Sequence, residues 1–198
     1  MNRGVQRFIP IIFLIVIVGL IIAAAVSVVR IFTSDNNTPQ SSQTADISSE
    51  ALLSTTADRS VKMTVRGPIV GDDTFRSYQV VVTPGKREFT RYKGYLEQPL
   101  VNKTYANNTK AYDEFVHALG RASLAKGEGL TGDADDTRGV CAGGILYEFE
   151  IINGANTVKR LWTTTCGDAK GSLAANAGQL QQLFLAQVSE ATQYIGKD

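Results

Sequence analysis

One uncharged and almost entirely apolar run, from Phe8 to Val29, constrains this 198-residue chain more than any other feature. A helix of about 22 residues is roughly 33 Å long at 1.5 Å per residue, and the hydrocarbon core of a bilayer is about 30 Å thick. The run is therefore long enough to cross a membrane, and we predict a transmembrane helix at residues 8–29. A purely cytosolic protein is not expected.

The basic residues around this run predict its orientation. Arg3 and Arg7 precede it, whereas Arg30 is followed by an acidic residue and by no further basic residue before Arg59. By the positive-inside rule, the amino terminus stays in the cytoplasm and the rest of the chain lies outside. We predict that residues 1–32 form the cytoplasmic stub and signal anchor of a single-pass cell-membrane protein.

Two alternatives to a retained anchor remain open. The small residues Ala23–Ala25 resemble a signal-peptidase site, but the apolar region of a signal peptide has only about 7 to 15 residues and this run is longer. A pilin-like subunit also joins an apolar amino-terminal helix to an α+β domain. Cleavage after Gly4 would place Ile9 where such proteins carry a glutamate, and the sequence after the run is polar and broken by Pro39.

The segment after the anchor is poor in apolar residues. Between positions 34 and 50 only Ala45 and Ile47 are apolar, and serine and threonine are frequent. Such a segment cannot bury enough surface to fold by itself. We predict a flexible Ser/Thr-rich tether at residues 33–59 and one extracytoplasmic domain at residues 60–198, a length typical of a single domain.

The charge of this outer part excludes one class of function. From position 33 onward the chain has 17 basic and 19 acidic residues. Nucleic-acid-binding domains carry a strong excess of Lys and Arg, so no nucleic-acid partner is expected. The expected partners are the membrane, through residues 8–29, and a protein or further copies of the chain.

Hydrophobic periodicity in the outer part predicts an α+β fold. Alternating, β-branched and aromatic runs predict strands, and apolar residues at i, i+3, i+4 and i+7 predict amphipathic helices. The predicted strands are Ser60–Arg66, Phe75–Thr83, Glu88–Tyr95 and two arms of a hairpin, and the predicted helices cover residues 109–126 and 173–195 with a short one at 50–57. We expect an antiparallel sheet of about five strands packed with the two amphipathic helices.

The hairpin is predicted from its turn. Asn153-Gly154 is a favoured two-residue turn, and both flanks are strand-like. If Ile152 faces Ala155, the register places Glu148 opposite Lys159, so that opposite charges meet across the strands.

The same register places the two cysteines of the chain, Cys141 and Cys166, opposite each other. Non-hydrogen-bonded antiparallel pairs approach to a Cα distance of about 4.5 Å, and disulfides need about 4.4 to 6.8 Å. The spacing lacks the C-x-x-C pattern of redox-active pairs, and zinc would need two further ligands. We therefore predict a structural disulfide, which also fits an extracytoplasmic domain.

An acidic stretch, TGDADDTRG at residues 131–139, is the candidate metal site. The spacing of Asp133, Asp135 and Thr137 is similar to the first half of a calcium loop, and Asp133, Asp135 and Asp136 are the candidate ligands. The stretch departs from that loop at Arg138, where glycine is required, and at Gly144, where a glutamate is required. We expect an acidic solvated loop and no cofactor. A calcium site is the alternative.

The last predicted helix has an uncharged polar face. No charged residue occurs from Gly171 to Ser189, and Gln179, Gln182 and Gln187 are candidate partner-facing residues. Uncharged polar groups lose less hydration energy on binding than charged groups do. An ordinary solvated face is the alternative.

The chain shows no catalytic pattern that we recognise. The only histidine, His117, follows Asp113 by four residues, a spacing that favours either a general-base pair or a helix ion pair. The serines and threonines form no G-x-S-x-G or S-x-x-K motif. We do not expect an enzyme.

The stretches DADDTRGVCAGGILYEFEI and VKRLWTTTC, preceded by one anchor and a Ser/Thr-rich segment, resemble uncharacterised single-span membrane-anchored surface proteins of Saccharibacteria. The resemblance implies a place at the cell surface and no particular activity. Together with the residue patterns, it favours a non-catalytic extracytoplasmic module that binds a ligand or a protein. The alternative is a structural subunit of a pilus-like or surface assembly.

Overall fold

A computed structural model of the chain describes residues 40–71 and 74–195. The predicted transmembrane helix at residues 8–29, with the stub at 1–32, lies outside these ranges. Within them, no helix combines the length and the apolar character needed to cross a bilayer.

The described part of the chain is an α+β fold with a six-stranded antiparallel sheet. In chain order, its elements are α1 (Gln40–Leu53), β1 (Arg59–Arg66), β2 (Arg76–Val82), β3 (Lys86–Lys93), β4 (Gln98–Ala106), α2 (Thr109–Arg121), a 3₁₀ turn (Gly132–Asp135), β5 (Leu146–Asn153), β6 (Asn156–Thr164), α3 (Ala177–Leu185) and α4 (Ala191–Ile195). The strands lie in the order β4-β3-β2-β1-β5-β6. The predicted α+β class with an antiparallel sheet is thus confirmed for the described residues, with one strand more than expected.

One face of the sheet carries the core. Val61, Met63 and Val65 alternate along β1 and are almost completely buried, and Phe149 and Ile151 of the neighbouring β5 lie beside them. Burial on alternate positions is what a strand with one covered face requires. The helices cover this face.

The helix α2 confirms its predicted apolar stripe. Tyr112, Phe115, Val116 and Leu119 are all buried, and the side chain of Asn108 accepts a hydrogen bond from the Ala111 amide at 2.9 Å as the amino-terminal cap. The helix ends earlier than predicted, at Arg121 rather than 126. The chain leaves helical geometry at Ser123, whose φ is +63°.

The segment predicted as a flexible tether contains α1. Leu52 is 2 % exposed and Ser48 is 1 % exposed, so the carboxyl-terminal half of this helix packs against the domain. The folded domain therefore begins before residue 60. Burial of a few apolar residues at one end, Ala51 and Leu52, offsets the polar composition of the rest.

The extra strand, β4, replaces a predicted loop. Most of its residues are exposed, because it lies at the edge of the sheet and pairs only with β3. Its sequence, QPLVNKTYA, lacks the apolar alternation by which strands are recognised. Pro99, Lys103 and a bulge in the β3–β4 pairing are features that discourage further strand addition at such an edge.

The single helix predicted at 173–195 is two short helices, α3 and α4. Glu190 between them has a φ of +61°, a conformation that interrupts a helix. Both helices still bury part of the predicted stripe, through Leu180, Phe184 and Ala191.

The register predicted for the β5–β6 hairpin is wrong. The two-residue loop is Gly154-Ala155, with Asn153 facing Asn156, and Gly154 has the φ of +58° that glycine adopts in a type II′ turn. A bulge between Ile151 and Ile152 then shifts the pairing again. In the part of the hairpin away from the turn, Glu148 of β5 therefore faces Trp162 of β6 instead of Lys159.

The predicted disulfide between Cys141 and Cys166 is confirmed, with a Cα distance of 5.6 Å. It does not join facing strand residues. A turn closed by the Gly144 amide and the Cys141 carbonyl at 3.1 Å folds the chain back ahead of β5. A side chain at Gly144 would place its Cβ 2.6 Å from the Cys141 sulfur, so only glycine fits there.

Candidate functional site

A cluster of buried polar groups lies on the face of the sheet away from the helices. Its centre is Glu148 of β5, which is 4 % exposed. Its carboxylate accepts hydrogen bonds from the Tyr95 hydroxyl at 2.5 Å, from Thr137 Oγ1 at 3.2 Å and from Arg160 Nη2 at 2.7 Å. Burial, together with the hydrogen bond to Glu148, raises the pKa of Tyr95 well above its usual range. The phenol therefore stays protonated and donates to the carboxylate.

The same cluster anchors the acidic loop that follows the 3₁₀ turn. Arg160 Nη1 lies 2.7 Å from Asp135 Oδ1, which also accepts from Trp162 Nε1 at 3.1 Å. On the other side, Arg66 of β1 donates to the carbonyl oxygens of Thr137 and Val140. The loop is thus fixed to both β1 and β6.

The three candidate calcium ligands are not gathered into a cation site. Asp135 is paired with Arg160, and Asp136 accepts from Arg138 Nε at 2.9 Å. Hydrogen bonds from Arg138 lower the pKa of Asp136 from 3.8 to about 2. Asp133 joins the 3₁₀ turn through its carbonyl oxygen, which accepts from the Asp136 amide. Among the described residues, no group of three or more His, Cys, Asp or Glu is placed to hold a metal ion.

The three candidate partner-facing glutamines have different surroundings. Gln179 and Gln182 are exposed on α3. Gln187 lies beyond the end of α3, is half-buried and donates to the Leu183 carbonyl at 3.5 Å. A neighbouring amide, Gln181, points to the core side and donates to the Tyr78 hydroxyl at 2.6 Å. Of the three candidates, Gln179 and Gln182 therefore present side-chain amides on one helix face that form no hydrogen bond with the residues the structure describes.

A cleft of about 540 Å³ lies between α1 and the carboxyl-terminal end of α2. Its apolar lining comes from Leu52 and Leu53 of α1 and from Gly120 and Ala125. Leu53 is 39 % exposed because it faces this opening rather than the core. The volume falls within the range of about 300 to 1,000 Å³ that is typical of small-molecule sites.

The polar lining of the cleft is basic or neutral. His117, Arg121 and Lys126 contribute basic groups, and Ser49 and Ser123 contribute hydroxyls. Within the described ranges, the side chains of Arg121 and Lys126 form no ion pair or hydrogen bond, in contrast to the paired arginines of the Glu148 cluster.

The sequence placed His117 beside Asp113, and the structure shows the Nε2 atom 3.6 Å from the Asp113 carboxylate. Both side chains are about half exposed, at 50 % and 48 %. Neither cleft serine, Ser49 or Ser123, hydrogen bonds to His117 in the described structure. An activated nucleophile needs a base within hydrogen-bond reach, and the described structure shows no such pair between His117 and these two serines.

Sequence reasoning missed the cleft because one wall was assigned to the tether. The available signal was the apolar run Ala51-Leu52-Leu53, which ends an otherwise polar segment. Arg121 and Lys126 have no distinctive motif, and only the fold brings them beside that run.

Comparisons with known proteins add no functional assignment. No protein-family model matches the sequence, and no curated protein matches it.

Proposed function

We propose that this chain is an extracytoplasmic binding module, held in the membrane by residues 8–29. In this proposal the module catalyses no reaction. The observation that carries the binding role is the cleft between α1 and α2, which has an apolar lining and two basic side chains, Arg121 and Lys126, without an ion-pair partner among the described residues. Pockets of this composition are the usual sites of ligand binding. The disulfide supports the outer location, because disulfides persist in oxidising compartments.

The experiment is to purify the full chain from its own membranes after mild crosslinking and to identify what accompanies it by mass spectrometry. A parallel purification uses Gly120→Leu, because a side chain at Gly120 would project toward Leu53 and narrow the cleft. We expect a ligand or partner in stoichiometric amount with the unaltered chain and its loss with the variant. Identical material from both preparations would contradict binding through the cleft.

A second candidate function is a structural subunit of a pilus-like or surface assembly. One observation favours it: a helix, α1, leads into the domain where a flexible tether was predicted. The same purification separates the two functions, because an assembly subunit yields a ladder of its own crosslinked copies. The exposed amides of Gln179 and Gln182 would then be the first contact residues to test.

A further inference from the structure

We propose that the cleft binds a single-chain amphiphile, an apolar chain that ends in a carboxylate or phosphate group. This inference rests on the proposed binding function and adds the chemical class of the ligand. It follows from the combination of the apolar lining with the basic side chains of Arg121 and Lys126, which form no ion pair or hydrogen bond in the described part of the chain.

The apolar part of the ligand is indicated by the residues of the two helices. Leu52 and Leu53 line one wall, and the bare backbone of Gly120 lies opposite, where an added Cβ would be 3.6 Å from Leu53 Cδ2. Glycine at this position of α2 leaves space that any larger residue would occupy. An acyl chain placed there is removed from water, which is favourable in proportion to the apolar area buried.

The charge of the head group is indicated by the polar lining. No residue lining the cleft is acidic, and Arg121 and Lys126 have no ion-pair partner in the part of the chain that the structure describes. Some basic residues of the sheet have such partners, as Lys62 has Glu150 at 2.7 Å and Lys86 has Glu88 at 2.9 Å. An anionic head group would supply the missing partner.

Three of the last four carbonyl oxygens of α2 already accept hydrogen bonds and are not free to face such an anion. The amides of Ala122, Ser123 and Leu124 donate back to carbonyl oxygens of the last helical turn at 2.9–3.0 Å. These bonds satisfy acceptors that would otherwise repel a negative charge at a helix carboxyl terminus. The positive charge of Arg121 in the last turn also reduces the repulsion of an anion at this helix end.

The test uses the full chain in nanodiscs of phosphatidylcholine, to which dodecanoate or dodecanol is added and binding is measured by calorimetry. The variants are Gly120→Leu, which narrows the cleft, and the double variant Arg121→Gln/Lys126→Gln, which removes its charge. Lys110→Gln is the matched control, since Lys110 is exposed on the same helix but does not line the cleft.

We expect dodecanoate to bind the unaltered chain and the control equally, and to bind the double variant at least about fivefold more weakly, as for loss of a charged contact at a partly exposed site. Gly120→Leu abolishes binding while the melting temperature does not fall, because glycine is a poor helix former. Equal affinity for dodecanol and dodecanoate would overturn the inference about charge and leave the binding function standing. If neither compound binds, and if the same material accompanies the unaltered chain and Gly120→Leu after crosslinking, both the inference and the proposed binding function are overturned.

The anionic amphiphile can be a free fatty acid or a membrane phospholipid, and a second nanodisc composition separates these sources. If a phospholipid occupies the cleft, phosphatidylglycerol in the disc weakens the apparent binding of dodecanoate to the unaltered chain. If the source is a free fatty acid, the affinity is unchanged by phosphatidylglycerol. Either result supports an anionic ligand, provided that the double variant loses binding.

Discussion

The packing of α1 against the domain can be tested by comparing two neighbouring leucines. Leu52 is 2 % exposed, whereas Leu53 is 39 % exposed and lines the cleft. The substitution Leu52→Ala removes about three methylene equivalents from a buried site, each worth about 0.8 kcal/mol. Because the cleft next to Leu52 lets the site relax or fill with water, the additional cavity cost is small. We expect a loss of about 2 to 3 kcal/mol in the free energy of unfolding.

The matched control is Leu53→Ala, which removes the same atoms from a position already in contact with solvent. We expect a loss of less than about 1.5 kcal/mol for this variant, in proportion to its smaller burial. Urea unfolding of the full chain in nanodiscs, followed by the fluorescence of Trp162, measures both. Trp162 is the only tryptophan of the chain and is 5 % exposed, so its emission reports loss of the sheet.

The reasoning fails if the two variants unfold at the same urea concentration. A loss of 2 kcal/mol moves the midpoint by about 1 M in urea for a domain of this size, well above experimental error. Equal midpoints would mean that α1 does not pack on the domain in solution. The segment would then be the tether that its composition predicts, and the cleft would lack one wall.

Three further predictions concern the disulfide, the buried tyrosines and calcium. Cys141→Ser should abolish the mobility shift between oxidised and reduced protein on a non-reducing gel, without producing dimers. It should also lower the free energy of unfolding by about 3 kcal/mol. Free thiols in protein taken from its native compartment would contradict the bond to Cys166. Burial raises the pKa of Tyr78 and of Tyr112 from 10.0 to about 12, so the stability that these two tyrosines contribute should be fully present below pH 10 and should be lost between pH 10 and 12. Chemical denaturation at stepped pH between 9 and 12 measures this loss, and a flat profile over the interval would refute it. Millimolar calcium should leave the melting temperature unchanged, because Asp135 and Asp136 are already paired with Arg160 and Arg138. A rise that chelator reverses would restore the calcium hypothesis.

Several features follow from local sequence alone. The buried stripe of α2 and the alternation of β1 are set by residue spacing, because a helix and a strand each present one face at a fixed period. The disulfide partners were predictable for a simpler reason, since the chain has only two cysteines. The α+β fold class follows from the same periodicities.

The hairpin shows why the register was not predictable. The dipeptide Asn153-Gly154 signals a turn nearby, but the loop uses Gly154-Ala155, and a bulge adds a further shift. A one-residue slip changes which side chains meet across the strands, and a bulge is not visible in a sequence pattern. The cysteines still meet because the turn at Cys141–Gly144 compensates, which is a property of the fold and not of strand pairing.

The sequence by itself determined the apolar run, the core-facing stripes and the pair of cysteines, because each depends on composition or on a period of two to four residues. Tertiary structure alone decided that α1 docks, that β4 completes the sheet as an exposed edge, and that Arg121 and Lys126 stand beside Leu52 across a cleft. These features depend on contacts between residues far apart in the chain. Local patterns carry no information about such distances, so the cleft forms only when the chain is folded.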